Sequence, residues 1–120
     1  MKSYSEMSDF EINCAVGKLM PNAVCFNDDG EPYTLEPDSC PAYSGSDFNE
    51  VNFEPCNSWA DAGPIIMKSL IGIKPVSLFV GGHRWFAFEG DAGKEFNLKA
   101  ADNNPLRAAM IVFLMMQESK

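Results

Sequence analysis

Apolar and polar positions follow a period that changes several times along the chain, and each change marks an element. Ser8 and Glu11 stand in the S-x-x-E relation of a capping box, with Asp9 in the first turn where a carboxylate suits the helix dipole. Phe10, Cys14, Val16 and Leu19 or Met20 then recur at three- and four-residue intervals, which predicts a helix with one apolar stripe, stopped by Pro21. Residues 23–26 form a short β-like run. Asn27, Asp28, Asp29 and Gly30 come next as a turn with positive φ at Gly30, and residues 31–35 return as the second strand of a hairpin. Pro37 and Pro41, set among Ser, Gly and Asp without periodicity, assign residues 36–50 to a long loop. Phe48, Val51 and Phe53 lead from it into a third short strand before Pro55.

In the second half, Asn57 is a suitable N-cap for a turn of helix carrying Trp59, and Gly63 and Pro64 interrupt the helical pattern beyond it. Pro64 has no N–H to give the carbonyl four residues back, so a second short helix over residues 64–70, with proline in its first turn, is expected instead. Residues 76–80 and 84–88 are β-branched and aromatic runs separated by Gly81, Gly82 and His83, a hairpin signature. Trp85 and Ala87 alternate with Phe86 and Phe88, which leaves both faces apolar and predicts a central strand covered on both sides. Residues 89–99 read as a polar loop with Phe96 and Leu98 turned inward. Asn103, Asn104 and Pro105 open a last helix whose face is lined by Leu106, Ala109, Met110, Phe113 and Gln117, widened by Val112 and Met116. The expected fold is a small single α+β domain over residues 1–120, with residues 1–7 outside the ordered body. Its antiparallel sheet of four to five strands packs against N-terminal and C-terminal helices.

A chain of 120 residues suits one domain, and nine Phe give it large side chains to bury. No apolar run approaches the roughly 20 residues of a membrane-spanning helix, and the polar N-terminus has no apolar core of a signal peptide, so a cytoplasmic location in the host cell is expected. The charge is unevenly divided. Residues 1–61 hold 12 acids and two bases, whereas residues 62–120 hold seven bases and five acids, within a net charge of −8. An acidic first half repels a phosphate backbone and argues against direct nucleic-acid binding. It complements a basic surface on a protein partner.

In the segment of residues 57–114, three blocks carry a resemblance. Asn57, Ser58, Trp59, Ala60, Asp61, Ala62, Gly63, Pro64, Ile65 and Ile66 place a Trp a few residues before Gly-Pro and an aliphatic pair. Trp85, Phe86 and Ala87 form a Trp-x-Ala strand, and Asn104 to Met110 a Pro-Leu-x-Ala-x-Met helix start. In this order the blocks resemble the NinX-like proteins of tailed phages. The resemblance implies an accessory protein related to the nin region of lambdoid phages and carries no enzymatic activity over.

Candidate chemistry is sparse. His83, the one side chain whose ordinary pKa lies near neutrality, sits at an expected hairpin tip away from any cysteine in sequence. Gly81, Gly82, His83 and Arg84 feed a strand, whereas phosphate loops feed a helix N-terminus. Cys14, Cys25, Cys40 and Cys56 lack a C-x-x-C pair and read as free thiols. Asp28, Asp29, Glu31, Glu36 and Asp38 cluster without the spacing of a calcium loop. No cofactor and no metal are expected. Arg107, early in the last helix, opposes the helix dipole and calls for a carboxylate such as Asp61 or Asp102. Trp59 and Trp85 suit either the core or, for Trp59 beside Gly63 and Pro64, an interface anchor.

The residues assigned to binding are Trp59, Asp61, Gly63, Pro64, Arg107, Asp28, Asp29 and Glu31. The expected function is a non-enzymatic phage or prophage accessory protein that binds a host or phage protein, with an acidic surface suited to countering host defence. The alternative is a small-ligand-binding domain with a pocket near Trp59 and Arg107. A homodimer is compatible with the sequence.

Overall fold

The structure, a computed structural model, describes residues 4–37, 48–90 and 99–118. Helix α1 spans Asp9–Lys18, α2 Trp59–Ser69 and α3 Pro105–Glu118, and a short 3-10 helix, Tyr4–Glu6, precedes them. The strands are β1 (Cys25–Phe26), β2 (Pro32–Pro37), β3 (Phe48–Asn52), β4 (Ile71–Ser77), β5 (His83–Glu89) and β6 (Lys99–Asp102). They form two antiparallel three-stranded sheets, ordered β1-β2-β3 and β4-β5-β6, in place of the single larger sheet expected. The division has a cause in the chain: α2 lies between β3 and β4, and each half closes its own meander of neighbouring strands.

Helix α1 begins as its sequence dictates. Ser8 Oγ accepts from the Glu11 N–H, and Glu11 Oε1 accepts from the Ser8 N–H, both at 3.1 Å. Its buried face keeps Val16, with Met20 packed beside it, and otherwise differs from the expected stripe. Ile12, Asn13, Val16 and Gly17 turn inward, while Phe10 and Leu19 are exposed. Asn13 is tolerated inside because its Oδ1 accepts from the Cys56 N–H at 3.0 Å, so its burial leaves no polar group unmatched there.

Helix α2 is capped by Ser58, not Asn57, and runs unbroken through Pro64. Two features make this possible. Gly63 has no Cβ to clash with the proline ring, which relieves the usual bar on helical geometry before proline. Burial of Ala62 and Ile65 then favours continuing the turn. Leu70, at φ 57°, ends α2 in left-handed geometry and passes directly into β4, which starts earlier than expected. Residues 78–80, expected in that strand, form the turn instead. Gly81 donates its N–H to Leu78 O, and Leu78 to Gly82 O.

Strand β5 is central in its sheet, and Ala87 is fully buried beneath α3. Phe86 and Phe88, on the opposite face, are only half-buried, with Lys74 Nζ 5.9 Å from the Phe88 ring, so that face is less covered than expected. Lys99, expected to end a loop, and residues 100–102, assigned to no element, supply β6. Phe96 and Leu98, and most of the loop at 36–50, lie outside the described residues, although β2 reaches Pro37 and β3 begins at Phe48. Helix α3 opens as expected, with Asn104 Oδ1 accepting from the N–H of Leu106 and Arg107 at 2.9 and 3.3 Å. Ala108 to Leu114 are all buried, and this helix packs against the second sheet, α1 and α2 together.

Candidate functional site

The β1–β2 turn is organised by a residue that the sequence presents as mere turn material. Asn27 Oδ1 accepts from the N–H of Asp29 and of Glu31, each at 2.9 Å, and Asn27 Nδ2 donates to Glu31 Oε1 at 3.0 Å. This is an Asx turn. Because Asn27 does the folding, Asp28 and Asp29 are left exposed on the hairpin.

Glu31 also lines a cleft between α1 and the first sheet. Its carboxylates come from Asp9, Glu31 and Glu54, and its apolar lining from Phe10, Pro32 and Phe53. The volume is about 170 Å³. Sites for small molecules usually measure ~300 to 1,000 Å³, so this cleft suits a single protruding side chain. Phe53 is buried as its floor, while Phe10 stands 51% exposed at its side. The sequence held a signal for this. Ile12, Val16 and Met20 recur every fourth residue, and choosing that stripe as the core turns Phe10 outward.

The start of α2 is fastened to the same region. Asp61 Oδ2 accepts from the Glu54 N–H at 2.9 Å, and the Asp61 N–H donates to Ser58 Oγ at 3.4 Å. Trp59 follows that cap and is 61% exposed, which places it outside the core. Pro64 is exposed and Gly63 half-buried further along α2. Of the residues expected to bind, Glu31 alone lines the cleft, whereas Asp61 reaches it through Glu54 and Trp59 follows two residues after the cleft residue Asn57.

Arg107 contributes from behind. Its Nη1 contacts Asp9 Oδ1 at 2.7 Å and its Nε contacts Asp102 Oδ2 at 3.0 Å. Its Nη2 donates to Tyr4 O at 3.4 Å and to Met7 O. Of the two carboxylates expected, Asp102 is a partner and Asp61 is not, because Asp61 is engaged with Glu54. The Arg107 side chain is 12% exposed and straps the N-terminal segment to α3. Asp9 Oδ2 accepts from Asn57 Nδ2 at 3.4 Å. Arg107 therefore fixes the orientation of a cleft carboxylate. Neither Trp59 nor Arg107 lines the larger groove of about 450 Å³ among Leu19, Met20, Ile65, Phe113 and Met116.

Among the described residues, no three His, Cys, Asp or Glu side chains gather as metal ligands. His83 packs its ring edge-on to Trp85 at 5.8 Å, at the base of the β4–β5 turn. Cys14, Cys25 and Cys56 are free thiols, and Cys40 lies outside the described residues. Burial pushes the Cys56 thiol up to about 12, with Asp9 adding to the shift, so this thiol is protonated and inert near neutrality. No helix in the described residues is long and apolar enough to cross a membrane.

These features define a small two-sheet α+β protein with a carboxylate-rimmed, aromatic-flanked cleft. The family model described as bacteriophage P22 NinX matches residues 3–117, and the chain belongs to that family. No curated protein matches the chain.

Proposed function

We propose that this protein is a non-enzymatic phage accessory protein that binds a host or phage protein through the cleft and the α2 start. The observation that carries this reading is the cleft itself, in which exposed Phe10 stands beside the carboxylates Asp9, Glu31 and Glu54, with a second exposed aromatic, Trp59, opening α2 two residues after the cleft residue Asn57. Aromatic side chains supply most of the energy of protein contacts, and surrounding charges set encounter rate and partner choice. The partner surface is basic, with an apolar or aromatic side chain able to enter a cleft of this size. Countering a host defence is one form of this activity, in which carboxylates occupy a surface that otherwise meets phosphates.

Capture of the tagged protein from phage-infected bacteria tests the reading when two variants run beside it. One is Trp59→Ala, the other reverses Glu31 and Glu54 to Lys. A partner that is retained by the natural sequence, weakened by salt and lost from both variants supports the proposal. Identical partners in all three captures overturn it. The ligand-binding alternative draws support from the larger groove, whose volume lies in the range of small-molecule sites, though it is formed by α1, α2 and α3 and not at Trp59 and Arg107.

A further inference from the structure

The tip of the β4–β5 hairpin is apolar where turns are ordinarily polar. Phe79 and Val80 are the central residues of the turn closed by the Gly81 N–H to Leu78 O bond of 3.1 Å. They are 106% and 90% exposed, with Leu78 beside them also exposed. The turn does not demand these side chains. Gly81 at φ 99° and Gly82 at φ 76° supply the left-handed geometry, and Asn, Asp, Ser or Pro would serve the other corners better. Three adjacent apolar side chains are therefore held in water for a reason other than folding.

Strand addition is not that reason. Leu78 and Gly82 are hydrogen-bonded across the ladder, as are Gly90 and Leu70, so the even-numbered residues of β4 direct their backbone toward β5. The odd-numbered ones, Pro75 among them, face the open edge of the sheet. A proline there lacks the N–H that a further strand needs. Recognition must run through the side chains of the tip.

Their electrostatic setting selects the partner. No acid occurs in residues 71–88, where the hairpin carries Lys74, His83 and Arg84 in a chain of net charge −8. The larger apolar groove includes Lys68 and repels such a tip. The cleft of Asp9, Glu31 and Glu54 attracts it, and its volume of about 170 Å³ suits one aromatic side chain. We propose that the Leu78–Val80 tip of one copy of this protein docks head-to-tail into the acidic cleft of a second copy, with Phe79 as the plug. This rests on the reading that the cleft is a docking site, and it makes self-association a competitor of any other partner there.

Sedimentation equilibrium of the full chain from ~10 µM to ~1 mM tests the proposal across the affinities expected of a weak contact. The mass should rise above 13.2 kDa with concentration. Raising salt from about 0.05 to about 0.5 M should weaken the association. Phe79→Asp, at a fully exposed position, and the Glu31→Lys/Glu54→Lys pair should each weaken self-association at least ~10-fold. An equimolar mixture of these two variants keeps one intact tip and one intact cleft, so it should recover a 1:1 complex of twice the monomer mass. A constant mass near 13.2 kDa to the highest concentration overturns the proposal. So does a mixture that stays monomeric, or association that is abolished by Leu19→Asp in the larger groove and untouched by Phe79→Asp. If self-association fails while capture stays sensitive to the cleft substitutions, only the second copy is excluded as occupant. If association behaves as expected while capture ignores them, the host-partner reading falls instead.

Discussion

Replacing Arg107 with Met removes the charge from the centre of the N-terminal strap while keeping a side chain of comparable length in its place. Three consequences add. Asp102 loses one partner, although its Oδ1 still accepts from the Asn104 N–H at 2.9 Å. Asp9 loses the contact that fixes it, and at 43% side-chain exposure it is rehydrated in part. The Met7 carbonyl loses a charged donor, as does the Tyr4 carbonyl, which still accepts from the Met7 N–H at 3.2 Å. Breaking a fully buried pair costs about 3–5 kcal/mol, and stranding the Met7 carbonyl about 1 kcal/mol. Partial solvation of both carboxylates lowers the first figure, so the sum comes to about 3 kcal/mol. For a chain of this size that corresponds to a fall in Tm of roughly 10–15 °C. Urea unfolding followed by far-ultraviolet circular dichroism measures it, with the slope unchanged if only the native state is affected. A loss smaller than about 1 kcal/mol would mean that the strap adds nothing beyond surface ion pairs.

Trp59→Ala should leave stability within about 0.5 kcal/mol, since the side chain is mostly exposed, yet weaken a cleft partner roughly 30-fold by titration calorimetry. Pro64→Ala should raise stability by about 1–2 kcal/mol in urea unfolding, because it restores a backbone donor inside α2 and a better helix former there. Alkaline pH should destabilise the fold. Cys56 keeps its proton in the folded state up to about 12, whereas the unfolded thiol loses it near 9.0. Burial and Glu118 likewise push Tyr4 up from 10.0 to about 12. In both cases the folded state binds more protons, so this stability is complete below pH 9 and declines as pH rises from about 9 to about 12. Unfolding midpoints measured across that window should fall, and Cys56→Ala should flatten the slope.

The fold was legible wherever local chemistry decides the outcome. The Ser8 and Glu11 capping box, the Asn104 cap before Pro105 and the turn at Gly30 each depend on residues within a few positions, and each occurs as the sequence predicts. Features that depend on distant partners were not legible. The inward face of α1 is decided by Asn13 meeting Cys56, 43 residues away, and no helical periodicity contains that information. Strand β6 is four residues of Lys, Ala, Ala and Asp with no β-branched side chain, and it exists because β5 offers it an edge. Helix α2 survives Pro64 because tertiary burial outweighs a local penalty.

The same distinction applies to the candidate site. Asp28, Asp29 and Glu31 could be read directly, since an acidic turn is exposed in almost any fold. Trp59 suits either core or anchor by its sequence, and its exposure takes it out of the core. Arg107 demands a carboxylate, as its place in the helix implies, yet the position that matters most to the cleft is its other partner, Asp9, 98 residues away in sequence. The sequence marks Asp9 only as a charge at a helix start. In the structure its two oxygens meet Arg107 and Asn57, so one residue joins the N-terminal strap, the α2 approach and the cleft. That linkage has a mechanical consequence. A partner carrying a cation into the cleft competes with Arg107 for Asp9, and the energy it gains there is offset by loosening the strap. Uncharged capture through Phe10 and Trp59 carries no such cost. The binding energy should therefore reside mainly in the aromatics, with Glu31 and Glu54 guiding the approach.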